Sequence, residues 1–316
     1  MKSITIIIIT SFVTPLCLVA QTNYTGREIP IDTSYTVYQS YIKIRDTFPE
    51  AKPAMAILPK GVVADRDLVY TILTDSIYKG RNISRCNFHG GGWHSGDKTM
   101  QEPMAMQIAA NGYVTVAVEY QLSHEAQYPN AVYNIKSAVR WMRANANKYS
   151  IDTGRIAISG CSAGGNLAAL IGMTGEIAKF EGNMGNTNYP SSIQAVIDID
   201  GVLDFMAPAW LNMERKPTSN DVTWLGCTFL EKPAIWKEAS PIFWVNKKSP
   251  PVMFLNSGFS RYHAGQDEMI GMMNELGIYN EVHKFKVKLH PFWLFHPWFN
   301  PTVEFMVKFL NKVFKS

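Results

Sequence analysis

Arg155-Ile156-Ala157-Ile158-Ser159-Gly160-Cys161-Ser162-Ala163-Gly164-Gly165 decides how this chain folds. A short apolar run, Arg155 to Ser159, feeds the pattern G-x-S-x-G at Gly160 to Gly164, and the small-residue stretch Gly165 to Met173 follows. This is the pattern of a nucleophile elbow, a strained strand-to-helix turn that exposes a serine hydroxyl and tolerates only small neighbours. Ser162 is therefore expected at the C-terminal end of a strand. Open α/β sheets bind their ligands there, and the helix that follows presents its first N–H groups to an anion.

A second motif, His89-Gly90-Gly91-Gly92, closes the β-prone run Ser84 to Phe88. Glycines let a chain bend so that successive amides face one point, and Gly91, Gly92 and Ala163 are the expected oxyanion donors. Losing one such donor typically raises a barrier by ~3 kcal/mol. His89 is expected to brace this loop rather than to transfer protons.

A serine hydroxyl is a poor nucleophile until a base takes its proton. Of the seven histidines, His290 best meets the order serine, acid, histidine, because it lies on a loop after the last expected strand. His296, on the same loop, sits among packed aromatics. Phe292, Trp293, Phe295, Trp298 and Phe299 surround His290 in sequence, and one or two of them are expected to line the site.

Outward from the elbow, Tyr113 to Tyr120 reads as a β-branched strand. Between Pro129 and Tyr149, Val132, Ile135, Val139 and Met142 share one helical face. Further strands are expected at Ala195 to Ile199, Val252 to Asn256 and Val282 to Val287. A closing helix is expected with Asn300 as cap and Pro301 in its first turn. Strands alternating with helices imply an α/β fold with a mainly parallel central sheet. Residues about 205–244 form an insertion with Trp210, Trp224, Trp236 and Trp244, expected to lie over the site as a lid.

The chain has 316 residues, 47% of them hydrophobic, enough for one large core, and a net charge of +4. No basic run is dense enough for nucleic acid. Lys2, the apolar run Ile4 to Val19 and Ala20 before Gln21 read as a signal peptide over residues 1–20, leaving a single domain over 21–316. The run is shorter than the ~20 apolar residues of a membrane span. Export to the bacterial periplasm or medium is the expectation; a lipid anchor on Cys17 is disfavoured by the bulk of Leu16. Cleavage leaves Cys86, Cys161 and Cys227, an odd number and no dense disulfide framework.

His89-Gly-Gly-Gly-Trp93, Tyr120-Gln-Leu-Ser123, Tyr128-Pro129, Arg155-Ile-Ala-Ile-Ser-Gly160 and Gly160-Cys-Ser-Ala-Gly-Gly165 together resemble the alpha/beta hydrolases of the esterase/lipase group. The nearest likeness is to the bacterial carbohydrate-esterase-like branch that includes acetylxylan, feruloyl and pectin acetylesterases. It covers roughly Asp65 to the C-terminus. The resemblance implies an alpha/beta hydrolase fold and removal of acetyl or related acyl groups from plant cell-wall polysaccharide through an acyl-enzyme on Ser162. It implies no metal and no organic cofactor. Rival readings are a lipase or peptidase on the same scaffold, and a catalytically silent carbohydrate-binding module.

Many relatives carry an aspartate three residues after a His-Gly pair at the end of the penultimate strand. Here Ser257-Gly258-Phe259-Ser260-Arg261 puts an arginine there. The triad acid is therefore expected at Asp267, where a predicted helix N-terminus would keep a carboxylate ionised. Glu268 is an alternative, as is Asp204, which closes Asp200-Gly201-Val202-Leu203-Asp204. Trp93, Arg261, His263 and Trp293 are the expected substrate contacts, Arg261 and His263 by their polarity and place beside the site.

Overall fold

A computed structural model describes residues 44, 47–55, 59–60, 62–66, 70–75, 82–175 and 177–315. The expected signal peptide lies outside the described residues. Eight strands form one sheet: β1 (Val62–Arg66), β2 (Tyr70–Asp75), β3 (Asn82–Phe88), β4 (Tyr113–Val118), β5 (Ile151–Cys161), β6 (Ala195–Ile199), β7 (Val252–Asn256) and β8 (Asn280–Lys284). Their spatial order is β1-β2-β4-β3-β5-β6-β7-β8. Antiparallel pairing joins β1 to β2 and β2 to β4, and every later pair is parallel.

The central strands are buried on both faces, as parallel strands covered by crossover helices must be. β4, β6 and β7 are buried at every position. Side chains alternate between two cores, following the two-residue period of a strand. Val114, Val116, Ile156, Ile158, Val196 and Phe254 face one core, and Tyr113, Ala157, Ile197, Ile199, Met253 and Leu255 face the other. The first core is completed by α2 (Asn130–Ala144) and α3 (Ala163–Met173), and the second by α1 (Glu102–Ala109) and α7 (Phe299–Lys315). Every residue of α3 is buried. Its small residues are required: a Cβ on Gly172 would meet Val196 Cγ2 at 2.3 Å.

The structure shifts several expected boundaries. The helix expected across Pro129 to Tyr149 breaks at Asn145 and resumes as one turn, Ala146–Tyr149. β8 begins and ends earlier than the apolar run Val282 to Val287 suggests. The chain stays extended past it, with the Phe285 amide bonded to the Asn256 carbonyl and the Gly258 amide to the Val287 carbonyl. α7 starts at Phe299, so Asn300 lies in its first turn rather than capping it. Cys86, Cys161 and Cys227 are all buried thiols.

The insertion holds the short helix Pro208–Leu211, α4 (Asn220–Leu225) and α5 (Pro233–Glu238). Its tryptophans pack inward rather than standing free over the site. Trp210, Trp224 and Trp236 are buried against Phe205 and join the first core. Arg215 fixes the segment by pairing with Asp221 at 2.7 Å and donating to the carbonyls of Trp210, Leu211 and Met213. At its edge the Asn220 amide packs on the Gly92 α-carbon, where a Cβ would come within 2.1 Å of Asn220 Nδ2. The insertion thus rests directly on the glycine loop. Its aromatic side chains form part of the packed wall beside the site.

Candidate active site

β5 runs into the elbow and α3 leaves it. Between them Ser162 holds φ 55° and ψ −119°, a conformation costly for a residue with a side chain and stored only where surroundings enforce it. The enforcement is visible. The Ser162 amide donates to the Ile199 carbonyl at 2.7 Å, tying the turn to the end of β6. A Cβ on Gly160 would lie 1.9 Å from the Gly164 carbonyl oxygen, and one on Gly164 would lie 2.6 Å from the carbonyl oxygens of Phe88 and His89. Only glycine fits either place.

Those last contacts bring the glycine loop to the elbow. Gly90 packs against Ser162, with 3.1 Å from its ideal Cβ position to the serine Cβ. Gly91 and Gly92 take φ +121° and +60°, values that favour glycine. Among the described residues no intramolecular acceptor takes the amides of Gly91, Gly92 or Ala163. His89 braces this loop from beneath. Its ring stacks on Tyr120 at 4.4 Å, its Nδ1 lies 2.8 Å from the Gly90 oxygen, and the Tyr120 hydroxyl donates to the His89 carbonyl.

His290 reaches Ser162 from the loop after β8. Its Nε2 is 2.8 Å from Ser162 Oγ. On its other side Nδ1 is 2.9 Å from Asp200 Oδ2. Asp200 follows β6 directly, with φ 51° turning its side chain to the site. The carboxylate is wholly buried, which alone would raise its pKa. Hydrogen bonds from His263, His290 and Ser257 outweigh burial and hold it below its ordinary value. A charged acceptor at Nδ1 fixes the imidazole proton there and leaves the Nε2 lone pair for the serine hydroxyl. Burial, with Arg261 and His263 nearby, keeps His290 below its usual pKa despite Asp200.

The carboxylate that meets His290 is therefore Asp200 and not the expected Asp267. Asp267 and Glu268 are exposed in the first turn of α6 (Gln266–Glu275), and Asp204 turns its carboxylate to the Met206 amide. Asp200 also satisfies the order serine, acid, histidine. Its signal was its place, immediately after the buried strand Ala195–Ile199, where α/β sheets gather functional side chains. A second aspartate, Asp198, lies two residues earlier and is driven well above the ordinary carboxylate range by burial and by Asp200. It accepts the Gly201 amide at 2.9 Å, which offsets part of that rise.

The expected substrate contacts divide. His263 spends its Nε2 on Asp200 Oδ1 at 3.1 Å, so the acid is gripped by two histidines and the Ser257 amide. Trp93 is 4% exposed and stacked on Trp224 at 4.5 Å; it is a strut under the glycine loop, not a ligand platform. Trp293 is 3% exposed and sets its ring edge-on to His290 at 5.1 Å, acting as a wall behind the imidazole. Its neighbour across the ring is Tyr262, stacked on His290 at 3.6 Å. Arg261 alone of the four faces solvent.

Comparison with known proteins places this geometry. Esterase LipC of Mycobacterium tuberculosis is 28% identical over 173 residues, which is 53% of this chain and 41% of that protein. The chain thus matches less than half the length of that relative. A truncated carbohydrate esterase from gut microbiota superposes with TM-score 0.69 at 20% identity, covering 82% of this chain and all 100% of that one. A bifunctional GH43-CE protein of Bacteroides eggerthii gives TM-score 0.68 at 21% identity over 78% of this chain and 36% of that one. The fold is that of the alpha/beta hydrolase esterase group. The BD-FAE family profile matches residues 84–270, more than half the chain and the whole stretch from the glycine loop through the elbow to α6, and the chain belongs to the BD-FAE family.

Proposed function

We propose that this chain is an exported serine esterase that removes acetyl or related acyl groups from carbohydrate. The observation that carries the reading is the unbroken line Asp200–His290–Ser162 beside three unused amides. In the proposed cycle Ser162 Oγ attacks the ester carbonyl while His290 Nε2 takes its proton. The amides of Gly91, Gly92 and Ala163 donate hydrogen bonds to the developing oxyanion. The imidazolium, held by Asp200, then gives its proton to the leaving sugar hydroxyl. Water, deprotonated by the same Nε2, attacks the acyl-enzyme and releases the acid. Carbohydrate as the alcohol is supported by the two carbohydrate-esterase likenesses, which themselves establish fold alone.

The test is release of acetate from acetylated xylan, mannan and pectin, run beside p-nitrophenyl esters of rising chain length and a peptide panel. Acetate is expected from at least one polysaccharide, with short acyl chains preferred. Turnover confined to long-chain esters or peptides would favour the lipase or peptidase reading instead.

His263 provides a further check on how the site works. It donates to the acid, and it and Arg261 oppose the His290 proton that Asp200 favours, while Tyr262 and Trp293 cover the ring. His263→Leu removes a charge-assisted hydrogen bond and should lower kcat about tenfold. Because His263 is one of the groups lowering the His290 pKa, its loss should move the acidic limb of kcat/KM to higher pH. His263→Gln, which keeps an N–H donor, should recover most of kcat. A lower Tm with an unmoved pH profile would mean that His263 only packs.

A further inference from the structure

Arg261 occupies the place where a relative's acid would stand, and among the described residues no carboxylate neutralises its charge. Its Nη2 donates to the Tyr262 hydroxyl at 2.7 Å, and its Cζ lies 4.7 Å over the Tyr262 ring and 5.6 Å from that of Phe259. Tyr262 in turn stacks on His290 at 3.6 Å. These two separations, 4.7 and 3.6 Å, put the guanidinium no more than 8.3 Å from the centre of the catalytic imidazole. Among the described residues no carboxylate pairs with it, and the side chain is exposed. Lys288 passes close by Gly258 on the neighbouring segment, its Cγ 3.3 Å from that glycine's ideal Cβ, and is likewise exposed and without a carboxylate partner among the described residues.

A cation held there has a cost. It opposes the imidazolium that must form on His290 during attack, and Arg261 indeed acts to lower the His290 pKa. An anion seated on the guanidinium would cancel that opposition at the moment it matters. The guanidinium is also ordered before any ligand arrives, by one hydrogen bond and two aromatic faces, and a planar fork so oriented suits a carboxylate.

We propose that Arg261 anchors a carboxylate carried by the substrate, so that the preferred ester sits on an acidic sugar of the uronic acid class, its carboxylate about one sugar ring from the scissile ester. The proposal rests on the serine-esterase reading and deepens it. A neutral sugar leaves the charge uncompensated; a uronate both binds it and relieves the base.

A matched pair tests this: an O-acetylated methyl uronoside and the same compound with its carboxylate converted to a neutral amide. The full-length protein is expected to favour the acid over the amide about tenfold or more in kcat/KM, with the preference shrinking as salt rises. In Arg261→Gln the ratio should fall to about one, and Arg261→Lys should lie between, since an ammonium keeps the charge and loses the fork. The ratio is the readout because a merely structural loss would lower both rates together. A wild-type ratio near one, or a ratio unchanged in Arg261→Gln, overturns the proposal while p-nitrophenyl acetate turnover leaves the esterase reading standing. Absence of any ester turnover and of fluorophosphonate labelling overturns both.

Discussion

Ser162→Ala is expected to reduce turnover of p-nitrophenyl acetate on the order of a million-fold, the scale seen when a triad nucleophile is removed. The oxyanion amides and the binding surface remain in the variant, so a small residual rate over water is expected to persist. Folding should be unaffected. Among the described residues the serine hydroxyl hydrogen-bonds only to His290, while the elbow is held by its amide on Ile199, by its carbonyl on the Asn166 amide and by the glycine contacts at Gly160 and Gly164. Alanine keeps all of these. The variant should show an unchanged near-ultraviolet spectrum and Tm, and should lose labelling by a fluorophosphonate. Retained turnover, or labelling at another residue, would mean that Ser162 is not the nucleophile and would remove the basis of the proposed cycle.

The elbow was legible because sterics leave it few spellings. Gly160 and Gly164 face backbone oxygens at distances that admit no Cβ, so the motif records a local geometric demand. Strands β6 and β7 were legible to the residue, since strands buried on both faces read as short, mostly apolar runs, here broken only by Asp198 and ended by Asn256. β8 was not, because this edge strand has no fully buried position and carries Glu281, His283 and Lys284, so the apolar signal slides toward Val287. Partner contacts across the fold were harder still. Trp93 and Trp293 look like sugar platforms beside their motifs, but each is consumed by packing, one on Trp224 and one on His290. Polarity misled in the same way at His263, whose imidazole turns inward to an acid 63 positions earlier in the chain. That contact depends on β6 and β7 lying side by side, and no local pattern encodes it.

Asp200→Asn is expected to lower kcat about 10⁴-fold, or roughly 5 kcal/mol in the barrier, whereas Asp267→Asn should change it less than about threefold. The reason lies in what surrounds the carboxylate. His290 Nδ1, His263 Nε2 and the Ser257 amide all approach it as donors. An asparagine offers one acceptor oxygen and an NH₂ group, so at least one donor must meet another donor or turn away. The imidazole can escape by changing tautomer. With Nδ1 accepting from the new amide, the proton moves to Nε2, which then points N–H at Ser162 and cannot receive the hydroxyl proton. KM should change little, because the amides and the binding surface are untouched, and the loss should appear in kcat. Asp267 stands on the exposed first turn of α6, where its charge serves at most the helix terminus, and removal of a cap interaction costs stability rather than rate. Asp204→Asn and Glu268→Gln complete the comparison, since Glu268 acts electrostatically on Asp204 and neither is bonded to His290. If Asp267→Asn or Asp204→Asn collapsed kcat while Asp200→Asn did not, the acid would have been misplaced, and with it the account of how a chain bearing arginine at position 261 still polarises its histidine.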